Sequence, residues 1–210
     1  INQRKSYHIV TIEDPIEFVH PNKNCLIHQR EVGSHTSSFS EALRAAGRED
    51  PDVILVGELR DLETISMALS AAERGTIVLA TLHTNNAIKT VDRIVSVFPA
   101  GEQEGARNVL AESLQAIVSQ QLLPKVGGGR VAALEILFAT PSISNLIRRG
   151  KTAQITSLIQ GGVKQGMIDM DGSIRALYEE GSVTARAAYD KAVDKEMFKD
   201  IMDEAGSTAD

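Results

Sequence analysis

Three short apolar runs constrain the fold of this chain more than any other feature of its sequence. They are HIVTI at 8–12, VILV at 53–56 and TIVLATL at 76–82. Continuous apolar runs are typical of strands that are buried on both faces, as in parallel sheets, whereas half-exposed strands alternate apolar and polar residues. Because helical stretches separate the later runs, we predict an α/β fold with a predominantly parallel sheet.

Capping signals delimit the helices between these strands. The first helix is predicted over 38–47, where Ser38 and Glu41 have the spacing of a capping box and a glycine follows the last turn. A second helix is predicted from Asp61 to Gly75, and a third from about 86 to 98, before a proline.

The second half of the chain is predicted to be mainly helical around one hairpin. One apolar helical stripe is predicted within 102–123, formed by Val109, Leu110, Leu114, Ile117 and Val118. The three glycines at 127–129 predict a β-hairpin. Thr140 and Pro141 open the next helix, and further helical segments are predicted at about 151–160, 171–180, 184–193 and 195–205. We therefore predict a sheet domain at 1–140 and a helical subdomain at 141–210.

Composition excludes several classes of protein. The net charge of −6 argues against stable binding to nucleic acid, which needs a basic face. The single cysteine, Cys25, can form neither an internal disulfide nor a tetrathiolate zinc site, and it fits a reducing compartment. No run reaches the roughly 18 apolar residues of a membrane helix. The first ten residues lack both an initiator Met and a signal-peptide pattern, so we expect a piece of a longer chain.

Acidic residues and a histidine follow the three predicted strands. Glu13, Asp14 and Glu17 follow the first, Glu58 the second and His83 the third. Ligands of open parallel sheets bind beyond the carboxyl ends of the strands. Carboxylates gathered there are costly unless a cation or a donor-rich ligand joins them. The hypothesis is that the three runs lie side by side in one direction and bring Glu17, Glu58 and His83 to one rim, where magnesium and a polyphosphate would bind.

Several other polar residues keep more than one interpretation. Four arginines are assigned either to phosphate or subunit contacts or to ordinary ion pairs: Arg44, Arg48, Arg60 and Arg93. Three histidines in the polar loop after the first strand are interpreted as surface residues: His20, His28 and His35.

Longer motifs resemble a known family. TIEDPIEFVH, REDPDVILVGELRD and GTIVLATLHTNNAIKTVDRI are similar to the Asp box, Walker B and His box of the secretion-superfamily ATPases. Three further motifs resemble its PilT-like pilus-retraction branch: VFPAGEQEGAR, TPSISNLIRRGK and GMIDMDGSI. The sequence also lacks the CxxC zinc pairs found in extension and secretion motors, which favours the same branch. The resemblance implies a RecA-like P-loop ATPase core, a hairpin and a C-terminal helical subdomain.

The resemblance also implies roles for individual residues. Glu58 matches the Walker B glutamate that activates water, Glu17 the Asp-box glutamate near Mg²⁺, and His83 the residue that senses the γ-phosphate. Glu17 and Asp14 would hold Mg²⁺ through water. The other residues implied to bind nucleotide are Glu13, Asp14, Thr84 and Arg93.

Three departures from the family pattern qualify these expectations. Gly57 occupies the position at which family members usually have an aspartate that contacts the hydration shell of the magnesium ion. Within the retraction signature at 142–149, five residues agree, namely Ile143, Asn145, Leu146, Ile147 and Arg148, whereas Ser142, Ser144 and Arg149 differ. The phosphate-cradling motif G-x-x-x-x-G-K-[ST] does not occur in the sequence, so we expect the chain alone neither to bind ATP tightly nor to hydrolyse it.

The implied function is that of a hexameric motor ATPase, using ATP and Mg²⁺ to power type IV pilus retraction and hence twitching motility. The implied location is the cytoplasm, peripheral to the inner face of the bacterial inner membrane, against a pilus platform protein. A paralogous motor ATPase is a further candidate partner. An accessory, non-catalytic paralogue and a type II/IV secretion ATPase are the alternatives, and the acidic charge disfavours a DNA-translocating ring.

Overall fold

The computed structural model describes residues 1–202 and contains a four-stranded parallel sheet. Its strands are β1 (His8–Glu13), β2 (Leu26–Glu31), β3 (Val53–Val56) and β4 (Ile77–Ala80), in the order β2-β1-β3-β4. All neighbouring pairs run parallel, with Ile12 opposite Val56 and Val56 opposite Ala80. The predicted parallel sheet and the adjacency of the three apolar runs are therefore confirmed.

The two edges of this sheet differ from the prediction. Strand β2 was assigned to a polar loop, because its residues, LIHQRE, carry little apolar signal. It pairs along the whole length of β1. This pairing makes the segment a strand although its own residues do not predict one. Strand β4 is the other edge, and it exposes 44% of both Ile77 and Leu79. The prediction that this run is buried on both faces was wrong: Ile77 and Leu79 lie on one face of the strand, and that face is partly uncovered in the described residues.

Four helices lie between and after the last strands of this sheet along the chain, and the first two begin at well-formed N-caps. They are α1 (Phe39–Ala46), α2 (Leu62–Glu73), α3 (Ala87–Ser96) and α4 (Gln103–Ser113). The Ser38 hydroxyl accepts from Glu41 N and the Asp61 carboxylate accepts from Thr64 N, so both predicted starts are confirmed. The core of this layer is formed by Val10, Ile12, Ala42, Leu43, Ala46, Ile54, Val56 and Ala71.

The predicted helical stripe through residue 118 was wrong. The chain leaves α4 at Ser113 and forms β5 (Ala116–Pro124), which pairs antiparallel with β6 (Arg130–Phe138) around the predicted glycine turn. Ile117 is 8% exposed and Val118 is 63% exposed, because adjacent strand residues point to opposite faces. Burial in the hairpin therefore alternates, and the apolar residues that match a helical period belong to two different elements.

Helices follow the hairpin, as predicted. Thr140 caps α5 (Pro141–Arg148), and α6 (Ile155–Gly161), α7 (Met170–Glu179) and α8 (Ala185–Lys191) come after it. Single 3₁₀ turns lie at Thr152–Gln154, Val163–Gln165 and Glu196–Phe198. The predicted helix at 195–205 extends past residue 202, and that part of it lies outside the described residues.

The chain divides into two compact units. The first comprises residues 1–83 and 94–113, and the second residues 84–93 and 114–210. Within the second unit, residues of the hairpin share a core with the C-terminal helices, for example Leu123 and Ala133 with Ile174 and Phe198. A boundary near residue 140 stays a proposal about domain organisation. No helix in the described part of the chain is long and apolar enough to cross a bilayer.

Glu135, on β6, is a buried carboxylate that caps a helix within the second unit. Its Oε1 atom accepts a hydrogen bond of 2.6 Å from the backbone N–H of Ala87, the first residue of α3, and the residue is 8% exposed. Burial raises the pKa of Glu135 above its usual range, although hydrogen bonds from the backbone of Ala87 and Met170 oppose this. The fold therefore favours the neutral carboxyl group.

We expect Glu135→Gln to flatten part of the dependence of stability on pH. A raised folded-state pKa contributes stability below the unfolded pKa, and this is lost as pH rises through the folded value. The free energy of unfolding of the wild type should therefore fall relative to that of the variant as pH rises from the unfolded pKa, about 4.3, through the raised folded pKa of Glu135. Urea unfolding at several pH values measures this difference. The exposed Glu179→Gln variant is the control, and parallel pH profiles for wild type and Glu135→Gln would contradict the prediction.

Candidate active site

The carboxyl ends of β1 and β3 approach each other closely at Gly57. The Gly57 N–H donates a 2.7 Å hydrogen bond to Ile12 O. A Cβ atom at this position would lie 3.1 Å from Ile12 O and 3.3 Å from Glu13 Cα. Both distances are shorter than ordinary van der Waals contact, so a side chain at this position requires the backbone of β1 to shift by a few tenths of an ångström. A glycine fits this position without any such shift.

Hydrogen bonds also join the end of β3 to the end of β4. The Leu59 N–H donates to Thr81 O over 3.0 Å, and the Thr81 hydroxyl donates to Gly57 O. The residues after the two strands are therefore held in a fixed register. Glu58 lies between Gly57 and Leu59, the two tethered residues that follow β3, and His83 lies two residues beyond Thr81.

Glu58 and His83 form a direct contact at this edge of the sheet. Glu58 Oε1 is 2.9 Å from His83 Nε2. Because a carboxylate only accepts hydrogen bonds, His83 donates from Nε2. The Glu58 side chain is 17% exposed and the His83 side chain is 85% exposed. The arrangement is a largely buried carboxylate held by a histidine that solvent can reach, and it fulfils the geometric part of the prediction for this pair.

Arg60 binds the second oxygen of Glu58 and was not among the predicted site residues. Its Nε atom lies 2.5 Å from Glu58 Oε2, and its Nη1 atom lies 3.9 Å from Asp14 Oδ2. The hydrogen bond to Glu58 raises the pKa of Arg60 above its ordinary value. Of the two interpretations left open for this arginine, the structure shows an ion pair. Arg60 links Asp14, after β1, to Glu58, after β3.

The other acidic residues after β1 lie in different environments. Glu13 Oε1 accepts from the Thr11 hydroxyl at 2.5 Å and from Gln29 Nε2 at 3.1 Å. Asp14 is 43% exposed. Glu17 is exposed, and it makes no hydrogen bond or ion pair with any residue in 1–202. The structure thus brings Glu58 and His83 together and connects Asp14 to them through Arg60, and within residues 1–202 no hydrogen bond or ion pair joins Glu17 to this group.

Glu31, at the end of β2, is a further carboxylate at this edge, and it also lay outside the predicted set. It pairs in register with Glu13. Its Oε2 atom accepts from Ile16 N at 3.0 Å and its Oε1 atom from the Ser34 hydroxyl at 2.9 Å. The hydrogen bond from the Ile16 backbone, followed by that from Ser34, lowers the pKa of Glu31. Glu31 therefore fixes the residue that precedes Glu17.

The remaining predicted residues lie in the second unit. The Thr84 hydroxyl is 2.7 Å from that of Thr90, within the segment that forms the start of α3. Arg93 is exposed on α3. On α5, Ile143 and Ile147 are fully buried, Leu146 is half-buried, and Asn145 and Arg148 are exposed. The signature thus combines core residues with a polar outer surface.

Comparisons with known proteins give one consistent result. Residues 1–130 match the family model described as type II/IV secretion system protein. The chain is 56% identical to the type IV pilus retractation ATPase PilT of Pseudomonas aeruginosa over 198 residues, which are 94% of this chain and 58% of that protein. It is 42% identical over 184 residues to the type IV pilus ATPase PilU of the same bacterium, covering 87% of this chain and 48% of PilU.

A solved structure agrees with the sequence comparisons. The crystal structure of the pilus retraction motor PilT with bound ADP superimposes with a TM-score of 0.87 at 52% identity, covering 93% of this chain and 55% of that one. This likeness supports the RecA-like core with its flanking helices and antiparallel hairpin. The chain spans about half the length of the relatives that it matches.

Proposed function

We propose a function from the premise that this chain belongs to the type II/IV secretion system protein family: it is the hydrolytic part of a motor ATPase that powers type IV pilus retraction. The observation that carries the proposal is the contact between Glu58 and His83 at the carboxyl ends of adjacent parallel strands. This is the edge at which open α/β sheets bind ligands. The similarity to PilT supports retraction as the work that the motor performs.

In the proposed reaction, Glu58 orients and polarises the water that attacks the γ-phosphoryl group. Phosphoryl transfer depends mainly on positioning and on stabilisation of charge. Both oxygens of Glu58 are held, one by Arg60 and one by His83, so the carboxylate has a defined orientation. We infer that the exposed His83 donates from Nε2 to the γ-phosphate when nucleotide is bound, which releases Glu58 Oε1 to accept from water. Thr84, Arg93 and Glu13 keep their proposed roles near the nucleotide.

The donors at this edge suit a hard divalent cation. Mg²⁺ prefers carboxylate oxygens and water, and Asp14 and Glu17 present exposed carboxylates in the segment after β1. We propose that these two residues hold Mg²⁺ through water. The ion would neutralise charge on the phosphate oxygens. Asp14 would then have two cationic neighbours, the magnesium ion and Arg60.

We base the proposed assembly and location on the family to which the chain belongs. We propose a homo-hexamer in the cytoplasm that works at the inner face of the bacterial inner membrane against the pilus platform protein. Asn145 and Arg148 are exposed on α5, which makes them candidates for partner contact. A paralogous motor ATPase would be a further partner.

One observation favours the second candidate, an accessory subunit. Positions 144 and 149 depart from the retraction signature, and both belong to the outer part of α5 and its C-cap. A changed outer surface could alter partner choice without changing Glu58 or His83. The chain is also similar to PilU, although at lower identity than to PilT.

A chimera tests whether this chain performs retraction. The chain would replace the region that it matches in the P. aeruginosa retraction ATPase, and the chimera would be expressed in a strain lacking that ATPase. We expect the chimera to hydrolyse ATP and to restore twitching, because it combines the hydrolytic residues with an upstream phosphate-binding loop. The 210-residue chain alone should release no phosphate from ATP above background.

Phosphate release and colony expansion measure the two outcomes separately. Hydrolysis without twitching would favour the accessory subunit, and twitching would exclude it. A folded chimera with no hydrolysis would contradict the proposed function. Micromolar ATP affinity of the isolated chain would contradict the expectation that these residues bind nucleotide weakly on their own.

A further inference from the structure

A second cluster of metal-ligating side chains lies at the other end of β1. His8 is the first residue of β1, His28 is on β2, and Glu49 lies between α1 and β3. One ligand atom of each lies within 4.8 Å of the others. Five residue steps of strand separate His8 from Glu13, which at about 3.3 Å per residue places this cluster roughly 16 Å from the nucleotide edge.

Hydrogen bonding sets the protonation of the two imidazoles. His8 Nδ1 is 3.2 Å from the carbonyl oxygen of Glu49, and a carbonyl oxygen can only accept. A neutral His8 therefore carries its proton on Nδ1, and its Nε2 lone pair is available. His8 Nε2 is 3.0 Å from His28 Nδ1, so these two nitrogens share one proton. That proton occupies the position in which a metal ion would be bound by both rings.

The distance between these nitrogens matches that of neighbouring ligands on one metal ion. With Zn–N bonds of about 2.0–2.1 Å, two nitrogens at 90–110° lie about 2.9–3.4 Å apart. The observed separation is 3.0 Å, and the ring planes are nearly perpendicular, at 85°. After the rings rotate to turn both lone pairs toward one ion, the two nitrogens can bind it without a rearrangement of the strands.

Glu49 is oriented by a neighbouring cation. Arg30 Nη2 lies 2.7 Å from Glu49 Oε1 and 2.8 Å from Oε2. A carboxylate has about four lone-pair positions, so it can bind a metal ion while it accepts from Arg30. Outer-shell partners of this kind orient metal ligands. The side chains of Arg30 and Glu49 are 23% and 33% exposed, so both lie at a partly covered surface that an ion can reach.

We propose that His8, His28 and Glu49 form a binding site for a zinc ion, separate from the nucleotide edge. Two imidazoles and one carboxylate are a ligand set that favours zinc over magnesium. The fourth position would be taken by water. Because the ligands come from β1, β2 and the segment before β3, the ion would fasten edge strand β2 to the sheet. The predicted absence of a tetracysteine zinc site does not bear on this imidazole site.

Zinc titration of the 210-residue chain tests the proposal. The protein carries no polyhistidine tag, is stripped with a chelator, and is titrated with Zn²⁺ against a chromophoric competitor. We expect one Zn²⁺ per chain and a rise in the thermal midpoint. Even loss of an outer-shell partner costs about tenfold in metal affinity, so His28→Asn should weaken binding by at least about that factor. Mg²⁺ should leave the midpoint unchanged.

His20→Asn is the matched control, because His20 is exposed and lies outside the cluster. It should bind zinc like the wild type. Glu49→Gln provides a second variant in case His28→Asn does not fold. The visible spectrum of bound Co²⁺ should change in both cluster variants and not in His20→Asn. Absence of stoichiometric zinc in the wild type, or equal affinity in His28→Asn and His20→Asn, would overturn the proposal.

Discussion

Glu58→Gln is expected to lower the kcat for ATP hydrolysis by about 10²–10⁴-fold, the range for loss of a positioned acid–base group. Glutamine keeps the shape of the side chain and can still accept from one donor at Oε1. It has no negative charge to polarise water, and its NH₂ group cannot accept from Arg60. The effect should therefore fall on the chemical step, with a much smaller change in the KM for ATP.

Steady-state phosphate release by the chimera described above measures this effect. Glu73→Gln is the matched control, since Glu73 is an exposed residue at the end of α2 in the same unit. It should retain the parental kcat. An unchanged kcat in a folded Glu58→Gln protein would eliminate the assigned role, and a loss confined to KM would indicate that Glu58 binds nucleotide without acting on water.

Ile147→Ala is expected to reduce the free energy of unfolding by about 2–5 kcal/mol, the usual cost of a large-to-small change in a packed core. Ile147 and Ile143 are 0% exposed. They are one helical turn apart on the buried side of α5, so truncation leaves a cavity that rigid neighbours cannot fill. The retraction signature is therefore expected to be partly a packing motif.

Denaturant unfolding of the 210-residue chain measures the loss. Ile168→Ala, at a residue that is 40% exposed, should cost much less. Asn145→Ala removes an exposed signature residue and should stay within about 0.5 kcal/mol of the wild type. If Ile147→Ala were as stable as Asn145→Ala, the buried residues of the signature would have no packing role. Loss of twitching in a stable Asn145→Ala chimera would support partner contact.

The sheet could be predicted because its signal is local. VILV and HIVTI are continuous apolar runs, and Ser38 and Asp61 carry the capping chemistry that starts α1 and α2. Strand β2 could not be predicted in this way, because LIHQRE becomes a strand through pairing with β1 rather than through its own composition. The hairpin strand β5 was assigned to a helix because apolar residues on both sides of Ser113 fit a period of 3.6.

The candidate site was predictable in part for the same reason. Strand ends in a parallel sheet lie at one edge, which is sufficient to place Glu58 near His83. The partners of these residues depend on side-chain direction in the loops, which periodicity does not encode. The sequence therefore does not single out Arg60 from the other candidate arginines. Glu31 is not predicted as a site residue, because β2 itself is not predicted as a strand. The exposed position of Glu17 could not be foreseen from its motif.

Gly57 limits where this protein can gain acidic groups. The close approach of β1 and β3 means that a carboxylate at the first position after β3 would have to displace the backbone of β1 by a few tenths of an ångström. The surroundings of Asp14 and Glu17, which are exposed, are therefore the more accessible place at which to strengthen binding of the proposed cation. Under the magnesium role that we propose for Asp14 and Glu17, the closely packed strands would preserve the geometry of the site, and the exposed segment beside them would set its preference among cations.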